Sequence, residues 1–171
     1  MSIGPGSYTG LRVGLSTAKG ICFGAGKPLI AVSTLESLAW TAMHSLRSEE
    51  AGFPDVTYVS VLDARRNDAY VAIFDKDCGR LAEDQFLTIV PGCLDQLIPP
   101  DRKVVICGEG LAKWGDLAAG IGVQIVPVEC HALNLVPVAA DAFHRKEFAD
   151  LSSCIPAYLK PPNITTPALK R

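Results

Sequence analysis

The chain has 171 residues, 49% hydrophobic and 20% charged, which suits one domain or two small ones with a self-sustaining core. Its 16 basic and 18 acidic residues leave a formal net charge of −2, and no basic arm or run supplies a footprint for nucleic acid; the densest basic pairs are Arg65-Arg66 and Lys170-Arg171. No apolar run approaches the roughly 20 residues of a membrane span, and the N-terminus lacks the basic-then-apolar order of a signal peptide.

Residues 1–9 read as a glycine-rich loop, and residues 9–24 as a helix that Thr9 can cap. Leu11, Leu15, Ala18 and Cys22 repeat at helical spacing as a core face, while Gly10, Gly14 and Thr17 form a second stripe of small residues. Glycine inside a helix costs about 1 kcal/mol against alanine, so two on one stripe predict a closely packed neighbouring backbone. Residues 28–33 read as a short strand. Ser33-Thr34-Leu35-Glu36 reads as a capping box opening a helix to about Arg47, with Leu35, Leu38, Ala39 and Ala42 inward.

After a polar connection at 48–55 the period becomes alternating. Strands are expected at 56–63, 68–74 and 85–90, and the short turns between them require antiparallel neighbours. There follow a short helix at about 92–98, a strand at 103–107, a helix at about 110–119, a strand at 122–128 and a helix at about 134–147. The tail, Ile155-Pro-Ala-Tyr-Leu-Lys-Pro-Pro162, is too proline-rich for a helix. A three-strand meander followed by alternating helices and strands is the order of a ribonuclease-H-like lobe. The first half holds only the closing part of such a lobe. The expected division is therefore a first-lobe remainder at 1–50, a second lobe at 51–150 and a tail at 151–171.

Six cysteines, Cys22, Cys78, Cys93, Cys107, Cys130 and Cys154, form no C-x-x-C pair and read as reduced core residues. The histidines His44, His131 and His144 include no i, i+4 pair and no H-E-x-x-H, so no metal ligand is assigned. No catalytic residue is assigned either. Gly6-Ser7-Tyr8-Thr9-Gly10 echoes a nucleophile elbow but misses the G-x-S-x-G spacing by one position.

The informative segment is Gly4-Pro5-Gly6-Ser7-Tyr8-Thr9-Gly10-Leu11-Arg12-Val13-Gly14. Gly4 and Gly6 allow unusual backbone angles, Ser7 and Thr9 offer hydroxyls, and the free N–H groups of a helix start can face an anion. A tight capped turn that binds nothing fits the same residues, and no Walker Gly-Lys-Ser/Thr follows.

As a string, this segment resembles the signature G-P-G-S-[FY]-T-G-[LV]-R-[IV]-G of the TsaB/YeaZ family at every position. The resemblance continues through Ser16-Thr17-Ala18-Lys19-Gly20 and Ala31-Val32-Ser33-Thr34-Leu35. It extends to Leu62-Asp63-Ala64-Arg65 with Tyr70, and to Pro156-Ala157-Tyr158-Leu159-Lys160. It implies an actin-like, Hsp70-type ATPase fold with the first lobe incomplete and the second complete. It further implies a cytoplasmic, non-catalytic subunit that dimerises alone and supports a TsaD-type transferase, with a TsaE-type ATPase, in tRNA threonylcarbamoyladenosine modification. The tRNA would be met only indirectly. No cofactor is implied, ATP or ADP being admitted only at a complex interface. The partner surface would be the first helix, at Gly10, Leu11, Arg12, Gly14, Leu15, Ala18 and Lys19. A phosphate or nucleotide loop would comprise Gly4, Gly6, Ser7, Thr9, Asp63 and Arg65. The rival reading is an ATPase or glycoprotease-like peptidase using the inter-lobe cleft.

The chain departs from the family in two ways. The family pattern has a meander, a helix and a strand before the signature, where this chain has Met1, so the strand at 28–33 is expected to show an unpaired edge. Asn67-Asp68-Ala69 replaces the x-x-glutamate pattern before Tyr70.

Overall fold

A computed structural model describes residues 1–47, 56–95, 102–115 and 123–160. In chain order these carry β1 (Ser2–Gly4), α1 (Tyr8–Ala25), β2 (Val32–Ser33), α2 (Thr34–Arg47), β3 (Val56–Asp63), β4 (Asp68–Phe74), β5 (Gln85–Thr88) and β6 (Lys103–Gly108). A 3-10 turn (Leu111–Trp114), β7 (Gln124–Pro127), a second 3-10 turn (Ala132–Asn134) and α3 (Leu135–His144) complete the fold.

The fold is mixed α/β with two sheets. The larger has the order β5-β4-β3-β6-β7. β3 pairs antiparallel with β4, β4 antiparallel with β5, and β3, β6 and β7 run parallel. The smaller sheet is β1 parallel to β2. The meander and its successors thus fall where their patterns put them. β3 is buried at every position but its last, so its sequence is nearly continuous in apolar and small residues.

Helix α2 joins the sheets. Leu35, Leu38, Ala39 and Ala42 are fully buried and share a core with Tyr58, Phe74, Val105 and Cys107 on one face of the large sheet. Ser60 Oγ, also buried, donates to the Leu35 carbonyl at 2.7 Å and fixes the helix on β3. The opposite face packs Val59, Val61, Val71, Ile106 and Trp114 into a second core. The Ser33 side chain caps α2 by accepting from the Glu36 N–H at 3.4 Å.

Several expectations are corrected. Residues 2–4 form a strand rather than loop, and β1 pairs with one edge of β2, whose other edge has no partner strand among the described residues. The strand read at 28–33 is ladder-paired only at Val32–Ser33, with a single bridge from Leu29 to Ala149. Ser7, not Thr9, caps α1, its hydroxyl accepting from the Gly10 N–H at 3.3 Å. The stretch read as a helix at 92–98 is a series of turns at 91–95 before it leaves the described residues. The helix read at 110–119 starts as a 3-10 turn, its end again lying outside them. Of the cysteines only Cys107 is in the core; Cys130 is exposed, the other four are half-buried, and all six are free thiols.

Candidate functional site

The site starts from strand ends. β3, β6 and β7 are parallel, so Asp63, Gly108 and Pro127 leave the large sheet along one edge, where α/β sheets leave a crevice for ligands. Against that edge stands the carboxyl end of β1, which turns through Gly4 and a cis Gly4–Pro5 peptide into α1. Gly4 adopts φ 112°, and a Cβ there would lie 2.9 Å from Leu11 Cδ1 and 3.1 Å from the Ala157 carbonyl oxygen, so only glycine fits without displacement.

Between these parts lies a cleft of about 530 Å3. One wall is Gly6-Ser7-Tyr8-Thr9, the loop and first turn of α1. A second is Leu62-Asp63-Ala64-Arg65 with Tyr70, from the β3–β4 hairpin; Glu109 forms the floor, and Ala157-Tyr158-Leu159-Lys160 the third wall. The cleft therefore gathers Gly6, Ser7, Thr9, Asp63 and Arg65, with Gly4 packed beneath against Leu11. The first-turn N–H groups of α1 lack intrahelical partners by helix geometry and give this wall a partial positive charge.

Asp63 is held firmly. Its Oδ1 accepts from the Lys113 ammonium at 2.7 Å and from the Arg65 N–H at 2.8 Å. The Lys113 hydrogen bond above all keeps its carboxyl below the ordinary range, against an opposing cost of burial and with help from the Arg65 amide. Lys113 also donates to the Arg66 carbonyl. Asp63 pairs with Lys113, while Arg65, at φ 69° with Arg66 at φ 52°, contributes its backbone N–H. Left-handed geometry costs an L-residue about 1–2 kcal/mol, which the Asp63 and Lys113 hydrogen bonds help offset.

Sequence reasoning passed over Gly108-Glu109-Gly110. Gly108 adopts φ 122° and Gly110 φ 79°, and a Cβ on Gly110 would lie 2.7 Å from Asp63 Cβ. Glu109 lines the main cleft and two neighbouring hollows of about 490 and 340 Å3, and its Oε1 accepts from the Cys130 N–H at 3.1 Å. Although Cys130 as a whole is exposed, the protein atoms crowding its thiol, and then the Glu109 carboxylate, push that thiol up to about 12. The available signal was a glycine pair flanking an acid at the exit of an apolar strand. Among the described residues no three His, Cys, Asp or Glu side chains come together as a metal-binding group.

On α1 the expected partner residues divide. Leu11 and Leu15 are 8% and 4% exposed, which removes them from any partner surface: their side chains fill this chain's own interior. Gly10 and Arg12 are exposed, and Gly14, Ala18 and Lys19 half-buried. What lies over Gly14 is the Met1 side chain, not a neighbouring backbone. Arg12 lies over the Tyr8 ring, 5.0 Å from its centroid, and donates to the Tyr8 hydroxyl at 3.1 Å. The outward face instead shows Val13, Ile21 and Phe23, the last 82% exposed, beside Gly20 and Gly24.

Residues 1–166 match the family model of TsaD, tRNA N6-adenosine threonylcarbamoyltransferase. The tRNA threonylcarbamoyladenosine biosynthesis protein TsaB of Bacillus subtilis (strain 168) is 33% identical over 162 residues, 92% of this chain and 66% of that protein. TsaB of Escherichia coli (strain K12) is 26% identical over 163 residues, 92% of this chain and 68% of the relative. The chain belongs to the TsaB/YeaZ family. TsaB of Haemophilus influenzae is 40% identical over a shorter stretch of 101 residues, 40% of its length. YeaZ from Pseudomonas aeruginosa superposes with TM-score 0.67 at 21% identity, covering 92% of this chain and 71% of that one. A second solved structure, of a protein from Pseudomonas aeruginosa with similarity to peptidase YEAZ, gives 0.69 at 23% identity, covering 93% and 71%; both speak to the fold. The TsaB/YeaZ signature thus supplies one wall of the cleft, the Leu62–Arg65 segment a second and the Pro156–Lys160 segment a third. No helix among the described residues is long and apolar enough to cross a membrane.

Proposed function

We propose that this chain is a non-catalytic assembly subunit of the machinery that makes tRNA threonylcarbamoyladenosine, and that a TsaD-type transferase docks on α1. The carrying observation is the outward face of α1, where Val13, Ile21 and Phe23 stand beside Gly20 and Gly24. Large apolar side chains beside glycines suit a close helix–helix contact, and apolar groups left in water favour covering. The names of the TsaB relatives supply the pathway. In this reading Gly10, Arg12, Gly14, Ala18 and Lys19 border the contact. The same face forms a homodimer when the partner is absent, a TsaE-type ATPase joins the complex, and tRNA meets the partner rather than this chain. The setting is cytoplasmic.

The proposed architecture is actin-like, with residues 1–50 as the remainder of the first lobe, 51–150 as a complete second lobe and 151–171 as a tail. α2 would then be the element that joins the lobes, since it packs on both sheets. Co-purification with a TsaD-like protein from the same source tests the role. The parent chain should retain the partner and Phe23→Asp should lose it, with circular dichroism unchanged. Equal retention by the variant would sink the assignment of this face, and no retention by either chain would sink the subunit reading.

A second reading has its own observation: the cleft gathers Gly6, Ser7, Thr9, Asp63 and Arg65 around one hollow. A nucleotide such as ATP or ADP would set its phosphates at the α1 N-terminus and beside Arg65. ATP hydrolysis or peptidase activity by the purified chain, lost in Asp63→Ala, would favour this reading over the assembly role.

A further inference from the structure

The tail segment 155–160 has no regular secondary structure, yet it is fixed to both sides of the cleft. On the side of the small sheet, the Ala157 N–H donates to the Ile3 carbonyl of β1 at 2.8 Å. The Tyr158 ring lies 4.9 Å from that of Tyr8 in the first turn of α1. On the side of the large sheet everything converges on one group. The Lys160 ammonium contacts Asp68 Oδ2 of β4 at 2.8 Å and lies 4.4 Å from the centroid of the Phe86 ring of β5. Asp68 is in turn positioned by Thr88 Oγ1, which donates to its other oxygen at 2.9 Å. The Lys160 and Asp68 side chains are only 24% and 16% exposed.

We propose that residues 155–160 are a strap across the cleft that opens and closes as one unit, and that the Lys160–Asp68 pair against Phe86 is its latch. The inference goes beyond the assembly role and does not depend on it. Three physical points carry it. A segment with no helix or ladder of its own gains its order only from the contacts it makes, so releasing an anchor releases what that anchor held. Pro156 has no N–H to donate, so this part of the strap is tied to β1 through Ala157 alone among its backbone amides. At the far end the ammonium meets a carboxylate and an aromatic face together, in a sheltered place where ion pairing and cation–π attraction exceed their surface values. The departure at Asn67-Asp68-Ala69 thereby finds a use: the shorter Asp68 carboxylate is the latch acceptor.

Amide hydrogen exchange measured by NMR on the full chain tests this. Lys160→Met keeps the aliphatic stem and removes the charge. It should speed exchange of the Ala157 amide, three residues back along the strap, by about fivefold, the scale of one modest ion pair. Amides of β3 and β6 in the cores should be unchanged. Asp68→Asn should act alike, Lys160→Met with Asp68→Asn should add nothing, and Lys160→Arg should restore most of the protection. An unchanged Ala157 amide in Lys160→Met would overturn the latch, because the two ends would then open independently. Equal acceleration of the β3 and β6 amides would also overturn it, because the lysine would then be serving global stability alone.

Discussion

Gly108 offers the sharpest test of how the cleft floor is built. It ends β6 beside Val61 of β3, with φ 122°, and a Cβ placed on it would lie 2.0 Å from the Val61 carbonyl oxygen. That oxygen already accepts the Glu109 N–H at 3.2 Å. Gly108→Ala therefore adds three costs. A backbone region that almost only glycine occupies costs about 1–3 kcal/mol. Pushing a methyl into packed backbone costs about 1–3 kcal/mol. Weakening the Glu109 hydrogen bond costs about 1 kcal/mol. The sum is roughly 5 kcal/mol, a large part of the 5–15 kcal/mol that holds a typical domain. Urea unfolding followed by circular dichroism should show the midpoint falling by about 2.5 M at unchanged slope, given a slope of about 2 kcal/mol per M. Gly20→Ala is the control. It lies within α1 with nothing within 4 Å of the added Cβ, so it should gain about 0.5–1 kcal/mol. A loss below about 1 kcal/mol at Gly108 would refute the argument, since β3 and β6 would then separate there at little cost.

Two further outcomes follow from charge. The folded pKa of Asp63 lies below the ordinary carboxylate value, so its pairing stabilises the fold above about pH 4, and that contribution is lost as pH falls through the depressed folded value. Lys113→Met should therefore be less stable than the parent at neutral pH, with the difference closing in acid; a gap that is constant with pH would show that the ammonium acts through packing alone. At Cys130 the Glu109 carboxylate opposes the thiolate, so Glu109→Gln should speed alkylation by iodoacetamide at pH 8 while Cys107, also pushed up to about 12 by burial, stays unlabelled until unfolding. Equal Cys130 rates in parent and variant would remove Glu109 as the cause.

Local pattern was enough wherever one residue's neighbours in sequence are also its neighbours in space. The meander at 56–88 was legible because short runs rich in apolar and β-branched residues, bounded by polar turns, are local properties, although β3 is buried on both faces rather than alternately. The buried face of α2 was legible because 3.6-residue periodicity put Leu35, Leu38, Ala39 and Ala42 on one side. The α1 partner set was read only in part. Spacing put Leu11 and Leu15 on a core face, and they are buried; the family resemblance had also placed them on the partner surface, and neither showed that Val13, Ile21 and Phe23 turn out. Glu109 escaped notice because a single acid after a strand carries no chemistry until three hollows meet around it.

The sequence by itself determined the order of the two long helices and of the large-sheet strands, and the family to which the signature points; that position 4 requires glycine came from the structure. Only the tertiary structure decided which residues share the cleft. Tyr8, Asp63, Glu109 and Tyr158 are far apart in the chain and meet because parallel strands deliver their carboxyl ends to one edge. It also decided that β1 pairs with β2, and that Lys160 finds Asp68 across 92 residues. Such meetings depend on non-local chain closure, whose entropic cost is met by the summed burial of the cores and leaves no periodic trace in the sequence.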